Sequence, residues 1–199
     1  MARDQPVNDL QTGTDGTLRC PWCAGDPLYE EYHDQEWGVP CHDEHALFEK
    51  LCLETFQAGL SWIVVLRRRA GLREALGGFD PKHLAQLQSS AVEELMLDQR
   101  LIRNRAKIEA IIHNARILIE KFPTEGSFAT FLWSFAPSSH TAPMSITQIP
   151  TRTEKSAIMA RELKRIGWKF IGPVSAYAFM QSIGMINDHL LGCSFRENT

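Results

Sequence analysis

An all-α fold is what this sequence predicts, and three observations carry it. Clean alternation of apolar and polar residues is missing, and no Asn-Gly turn joins two strand-like runs. Apolar spacing of the helical kind recurs along the chain instead. Two pairs of metal-type ligands stand at its two ends: Cys20 and His33, thirteen positions apart, and His189 and Cys193, four apart. One ion held by all four would tie the termini together and close a loop of most of the protein, in the closed Cys2His2 shell usual for structural zinc.

The helices follow in order. Segment 43–68 reads as one helix with Asp43 as N-cap. Asp80-Pro81 opens a short helix, because proline suits the first helical turn. Ser90 can cap 91–97. Segment 104–121 carries a broad apolar face that includes Ile108, Ile111, Ile112, Ala115 and Leu118. Segment 123–150 holds four prolines around the apolar patch Phe128 to Phe135, so a short helix and a long loop are expected. Segment 153–166 is an amphipathic basic helix ended by Gly167. Pro173 opens a last apolar helix, 174–186, and Asn187-Asp188 breaks it before the second ligand pair.

The totals bound the rest. With 199 residues, 44% hydrophobic and 23% charged, the chain suits one globular domain, 19–199, with room for two helical lobes. Residues 1–18 are polar, lack an apolar signal-peptide core and are expected to form a disordered tail. No apolar run is long enough for a membrane span. Five cysteines, an odd number, argue against a disulfide framework and for a reducing compartment. A net charge of -3 does not mark a nucleic-acid binder, so an anionic partner must be met by a local patch.

Glu54 is the acid that stands out. Glu54, Gln57 and Ser61 form a narrow polar stripe at i, i+3, i+7 on an otherwise apolar helix. One reading is a surface pair with Lys50 at i, i+4. The other is a carboxylate in a pocket wall. Trp22, Tyr29, Tyr32, Trp37 and Trp62 lie around it in sequence, and aromatic walls with one carboxylate suit a flat cationic ligand. Each ring taken singly also fits a core.

The run Arg100, Arg103, Arg105, Lys107 holds four cations and no acid, just before a long helix. Helix 91–97, a tight turn and this second helix have the layout of a helix–hairpin–helix, which grips a nucleic-acid backbone without reading its sequence. A solvated basic face accounts for the same run. Arg67, Arg68 and Arg69 with Arg161, Lys164, Arg165 and Lys169 either extend the patch or decorate the surface. In Cys20-Pro-Trp-Cys23 either cysteine, or both, could serve as ligand. Four strong ligands leave no open position for a catalytic metal, and His42 and His45 read as solvated.

Several long stretches resemble the bacterial 3-methyladenine DNA glycosylase I family. They include Arg19-Cys20-x-Trp22, Asp26-Pro-Leu-Tyr29-x-x-Tyr32-His33-Asp-x-Glu-Trp37-Gly-Val-Pro40, Leu53-Glu54-x-x-Gln57-Ala-Gly-Leu-Ser61-Trp62, Ile102-Arg103-x-Arg105-x-Lys107-Ile108, Phe179-Met-Gln181 and Asn187-Asp-His189-x-x-Gly-Cys193. The resemblance implies a helix–hairpin–helix glycosylase fold and base-excision repair of 3-methyladenine in double-stranded alkylated DNA, with the free base as product. It implies one structural zinc on Cys20, His33, His189 and Cys193, so Cys20 rather than Cys23. Glu54 then contacts the damaged base as the catalytic-site acid, and Trp22, Tyr29, Tyr32 and Trp62 form its pocket. Arg100, Arg103, Arg105 and Lys107 face DNA. A monomer in the bacterial cytoplasm, associated with the nucleoid, is expected. Two places depart from the family's pattern. Arg100 stands where a hairpin glycine is usual, and arginine does not share glycine's tolerance of positive φ. Val174-Ser175-Ala176 replaces residues often Thr, Ile and Cys.

Overall fold

The computed structural model describes residues 9–198. Among them nine α-helices carry the architecture: α1 Pro27–Gln35, α2 Glu44–Gln57, α3 Trp62–Ala75, α4 Pro81–Gln86, α5 Ser89–Leu97, α6 Arg105–Lys121, α7 Ser127–Trp133, α8 Glu154–Arg165 and α9 Pro173–Ser182. Side-chain caps fix many of the starts. Asp26, Asp43, Asp80 and Asn104 each accept backbone N–H groups of the first turn, and Thr153 and Ser156 form a reciprocal capping box on α8. Each cap contributes about 1 kcal/mol. None of the helices is long and apolar enough to cross a membrane.

The sequence reading differs from the structure at several points. The helix expected over 43–68 is two helices. Ala58 leaves the helical region and Gly59 takes φ +84°, which turns the chain before α3 begins after Ser61. Apolar spacing continues across the break and so conceals it. Helix α1 was not anticipated, although Asp26-Pro27 is a cap followed by proline. Gln88, not Ser90, occupies the N-cap of α5. Helix α9 stops at Ser182, short of 186.

The tail also differs. Residues 1–8 lie outside the described residues. Gln11–Thr12 (β1) pairs antiparallel with Leu18–Arg19 (β2), so part of the stretch assigned to disorder is a small hairpin. It is pinned by one buried cation: the Arg19 guanidinium donates to Asp15 in the turn and to Asp34 on α1, at 2.8 to 3.0 Å.

The main core lies among α2, α3, α6, α8 and α9, where Phe48, Phe56, Leu72, Ile108 and Phe179 are fully enclosed. Each such side chain contributes roughly 1.5–3 kcal/mol by burial. A second, smaller core holds Cys20, Tyr32, Trp37, Leu66, Leu190 and Cys193, where the two chain ends meet.

Helices α5 and α6 and the turn between them form the expected hairpin. Its tip does not strain Arg100: among the described non-glycine residues, Phe79 and Phe170 are the ones with positive φ. The Asp98 carboxylate accepts the Arg100 N–H at 2.8 Å, and Leu101 is buried beneath the turn.

Candidate active site and metal centre

The end of α2 and the start of α3 open into a cavity of about 380 Å³. Glu54 and Gln57 come from α2, Trp62 from α3, Tyr29 and Tyr32 from α1, and Trp22 and Trp37 from the flanking turns. Helix α9 closes the far side with Val174, Tyr177, Ala178 and Gln181. The rings form one continuous wall. Centroids lie 4.9 Å apart for Trp22–Tyr29 and Trp22–Trp37, and 5.3 Å apart for Tyr32–Trp62.

Glu54 is 4% exposed, and its Oε2 is enclosed with no hydrogen-bond partner. Burial pushes its carboxyl up to about 8, with Lys50 opposing. Lys50 does not form the surface pair that its spacing allowed. Its ammonium donates to the Ser182 carbonyl at 2.9 Å and lies 3.9 Å from Glu36. The indole Nε1 of Trp62 is likewise buried and unpartnered. An unmet buried polar atom costs about 1–3 kcal/mol. Two of them in one aromatic cavity describe a site shaped for a polar, planar guest.

Tyr177 and Gln181 were not assigned from sequence. They lie far along the chain from Glu54, yet Val174, Tyr177, Ala178 and Gln181 repeat the spacing that marks a helix face. Asp188, 1% exposed, fixes two of them: it accepts from Tyr177 Oη at 2.6 Å and from Gln181 Nε2 at 2.7 Å.

Behind the aromatic wall, Cys20, His33, His189 and Cys193 converge, with one ligand atom from each all within 4.8 Å of one another. Their geometry tests the fit to a metal. A tetrahedral zinc with ordinary bond lengths has ligand–ligand edges of about 3.3 Å between nitrogens and about 3.6 Å between nitrogen and sulfur. Here His33 Nε2 and His189 Nδ1 are 3.1 Å apart. Three of the four nitrogen–sulfur edges are 3.4, 3.6 and 3.9 Å. The outer ring nitrogens have acceptors that fix the tautomers: His33 Nδ1 meets Asp34 Oδ1 at 2.7 Å, and His189 Nε2 meets the Trp37 carbonyl at 3.0 Å. The inner nitrogens are therefore left as bases, and a cluster of two imidazoles and two thiols is a donor set that can hold a metal ion. Cys23 stands apart, its thiol donating to the Cys20 carbonyl at 3.1 Å. His42 stacks on Trp133 instead of joining the cluster.

The cations of the hairpin are not equivalent. Arg100 is bound by Asp98 and Glu74, and Arg105 by Glu93, all at 2.6–2.8 Å. Arg103 is exposed and has no such acid among the described residues. Lys107 is 6% exposed; its ammonium donates to the carbonyls of Phe56 and Ala58. It was grouped with the DNA-facing cations by its place in a charge run, but its side chain turns inward to cap α2. Arg67 and Arg69 are likewise held by Asp26 and Glu36.

Fold and site together define a class: an all-α protein with a buried carboxylate in an aromatic pocket and a cluster of two cysteines and two histidines joining its two ends. The chain belongs to the methyladenine glycosylase family, whose sequence pattern matches residues 22–197. It is similar to the DNA-3-methyladenine glycosylase of Haemophilus influenzae, 44% identical over 180 residues that span 89% of this chain and 97% of that one. DNA-3-methyladenine glycosylase 1 of Escherichia coli is 45% identical over 177 residues, 88% and 95% of the two chains. A crystal structure of a 3-methyladenine DNA glycosylase I superposes with TM-score 0.85 at 47% identity, covering 88% of this chain and 98% of that one. A Staphylococcus aureus 3-methyladenine DNA glycosylase I, solved to explain its recognition of 3-methyladenine, gives TM-score 0.84 at 32% identity, covering 89% and 96%.

Proposed function

We propose that this protein is a DNA-3-methyladenine glycosylase, which takes the methylated base out of the duplex and hydrolyses its N-glycosidic bond. The observation that carries this reading is the unpartnered Glu54 oxygen inside a ring of tryptophans and tyrosines.

A base inside a duplex is out of reach and has to be flipped into a pocket. Methylation at N3 gives adenine a positive charge, which makes it a good leaving group and a good stacking partner for aromatic rings. Glu54 adds selectivity through its proton. With its carboxyl raised to about 8, the empty site holds the neutral acid near pH 7. A cationic base supplies the missing countercharge and favours the carboxylate, which then accepts a charge-assisted hydrogen bond. Neutral adenine gives no such return for ionising a buried acid. Glu54 thus recognises and positions the base. Water is the nucleophile, and the DNA phosphates help to stabilise the sugar cation.

One zinc on Cys20, His33, His189 and Cys193 would be structural: the ligands close its shell, and its contribution is to hold the two chain ends together. Arg103 and the backbone N–H groups at the start of α6 would meet phosphates of double-stranded DNA. The protein would act as a monomer in the bacterial cytoplasm, at the nucleoid.

Release of free base from methylated duplex DNA, resolved by chromatography, tests the reading. Prompt release of 3-methyladenine with 7-methylguanine retained is expected. A folded, zinc-loaded sample that releases no base and does not bind free 3-methyladenine would instead be a plain DNA-binding protein.

A further inference from the structure

One face of α3 is a seat for the hairpin between α5 and α6. Arg68, Gly71 and Glu74 lie at i, i+3, i+6, and all three meet the hairpin tip. Arg68 Nη1 donates to the Gln99 carbonyl at 2.8 Å, and Glu74 Oε1 holds Arg100 Nη1 at 2.7 Å. Between them, Gly71 faces Arg100. A Cβ placed there would stand 3.0 Å from Arg100 Cβ, 3.4 Å from Arg100 O and 3.6 Å from Arg100 Cα.

Gly71 sits inside a helix and needs no positive φ. Glycine is the wrong choice there on propensity alone, being about 1 kcal/mol less favourable than alanine. Space explains it. The neighbour is not the flexible end of a side chain but the Cβ and backbone of Arg100. That backbone is itself fixed on its other side, where the Asp98 carboxylate takes both the Arg100 N–H and its guanidinium. The Asp98 carboxylate thus stiffens the turn from within, and a Cβ at residue 71 has to shift the hairpin as a unit.

We infer that the Gly71–Arg100 contact sets how closely the hairpin seats on α3, which makes Gly71 a positioning residue for DNA engagement. The inference rests on the proposed reading of the hairpin as a phosphate grip. Helix α3 begins at Trp62 in the pocket wall and reaches the hairpin at Gly71. Nine residues of helix measure about 13 Å, close to four nucleotide steps of one strand. The helix is a rigid spacer between the flipped base and the gripped phosphates, and a methyl group on its side at residue 71 pushes the hairpin outward from α3. The side chain at residue 100 is tolerated because residue 71 has none.

A double-mutant cycle tests this: Gly71→Ala, Arg100→Gly and both together, each read for KM and kcat on methylated duplex DNA, affinity for free 3-methyladenine and thermal unfolding. In the parent chain, Gly71→Ala is expected to raise KM about fivefold. Its kcat and free-base affinity should be unchanged. In the Arg100→Gly background the same substitution should leave KM where it was. The melting temperature should show the contact independently of DNA. Gly71→Ala should lower it in the parent and raise it in the Arg100→Gly background, where the 3.0 Å contact is gone and the remaining approaches to the residue-100 backbone, 3.4 and 3.6 Å, are ordinary packing distances. Equal KM effects in the two backgrounds, or no KM effect in the parent, would overturn the inference. Failure of the underlying reading looks different: Arg103→Ala would leave KM unchanged while base release continues, and the hairpin would then lose its DNA role altogether.

Discussion

The Lys107 ammonium on α6 donates to the carbonyls of Phe56 and Ala58, at 2.8 and 2.5 Å, and so caps the helix that carries Glu54. Last-turn carbonyls lack intrahelical partners and carry the negative end of the helix dipole, so a buried cation there answers both needs. The second helix of the hairpin thus braces the end of α2, which carries Glu54 and Gln57 into the pocket wall.

Replacing Lys107 by methionine keeps the stem and removes the donor. Two enclosed carbonyls lose their partner, and a loss of about 2–4 kcal/mol is expected. For a chain of this size each kcal/mol lowers the melting temperature by about 2–4 °C. Because the ammonium faces protein rather than phosphate, the salt dependence of DNA binding should not change. Thermal unfolding and a salt titration check the two halves of the expectation. A salt slope shallower by a full phosphate would return Lys107 to the DNA surface.

Glu54→Gln should separate stability from function. The carboxyl has its pKa raised from 4.5 to about 8 by burial. Between those values the folded state retains a proton that the unfolded state has released. Stability therefore falls as pH rises through this window and levels off above it. Glutamine has no such linkage. Its melting curve should match that of the parent below pH 4.5 and pull ahead towards pH 8, by a gap on the order of 4 kcal/mol. Affinity for free 3-methyladenine and the rate of base release should both drop. A melting-temperature gap independent of pH would show that Glu54 does not titrate in the folded chain.

Which parts of this site could be read from sequence follows from the range of the signals. The four-residue spacing of His189 and Cys193 is a local pattern and survives into the structure as half of the Cys/His cluster; of the stripe Glu54, Gln57 and Ser61, the first two survive as pocket wall, while Ser61 lies past the break at Gly59, at the start of α3. Tyr177 and Gln181 sit on the same kind of helix face, but what they face is set by tertiary packing and by Asp188. Lys107 was misplaced because a charge run counts formal charges and takes no account of which one meets orphaned carbonyls. Gly59 was overlooked because apolar period continues through it. The hairpin at 11–19 has too few residues for strand alternation to register, and its stability comes from Arg19, whose partners Asp15 and Asp34 lie on different elements.

Metal analysis should return about one zinc per chain, and Cys193→Ser should lower that figure. Chelation should reduce thermal stability, since the ion closes a loop from residue 20 to residue 193. By chain entropy such a closure contributes roughly 4–5 kcal/mol. Base release should persist at first on adding a chelator and fade as the fold loosens, because Glu54 and the aromatic wall make the site and the four ligands lie behind it. Instant inhibition without unfolding would mean a catalytic metal, and metal content unchanged in Cys193→Ser would remove that residue from the shell.

The hairpin should show an unusually shallow salt dependence for a protein that grips DNA. Each phosphate neutralised by the protein contributes about 0.9 to the slope of log K against log salt. Of the four cations in the run, Lys107 is turned inward, while Arg100 and Arg105 already hold the acids Asp98, Glu74 and Glu93. Arg103 is the member with no acid beside it among the described residues, so the hairpin should contribute a slope near 1, not near 4. Arg103→Ala should remove about one phosphate's worth of slope. Glu93→Gln should act in the opposite direction: it takes the bidentate partner from Arg105 and leaves only the looser contact with Glu109 at 3.8 Å, so both the slope and the low-salt affinity should rise. Exchange of a protein carboxylate for a phosphate is nearly neutral in charge, which is why the paired arginines add little until the acid is removed. Binding isotherms over a range of salt for the two variants decide it, and a steep slope in the parent that Glu93→Gln leaves unaltered would mean that the arginines abandon their acids when DNA arrives.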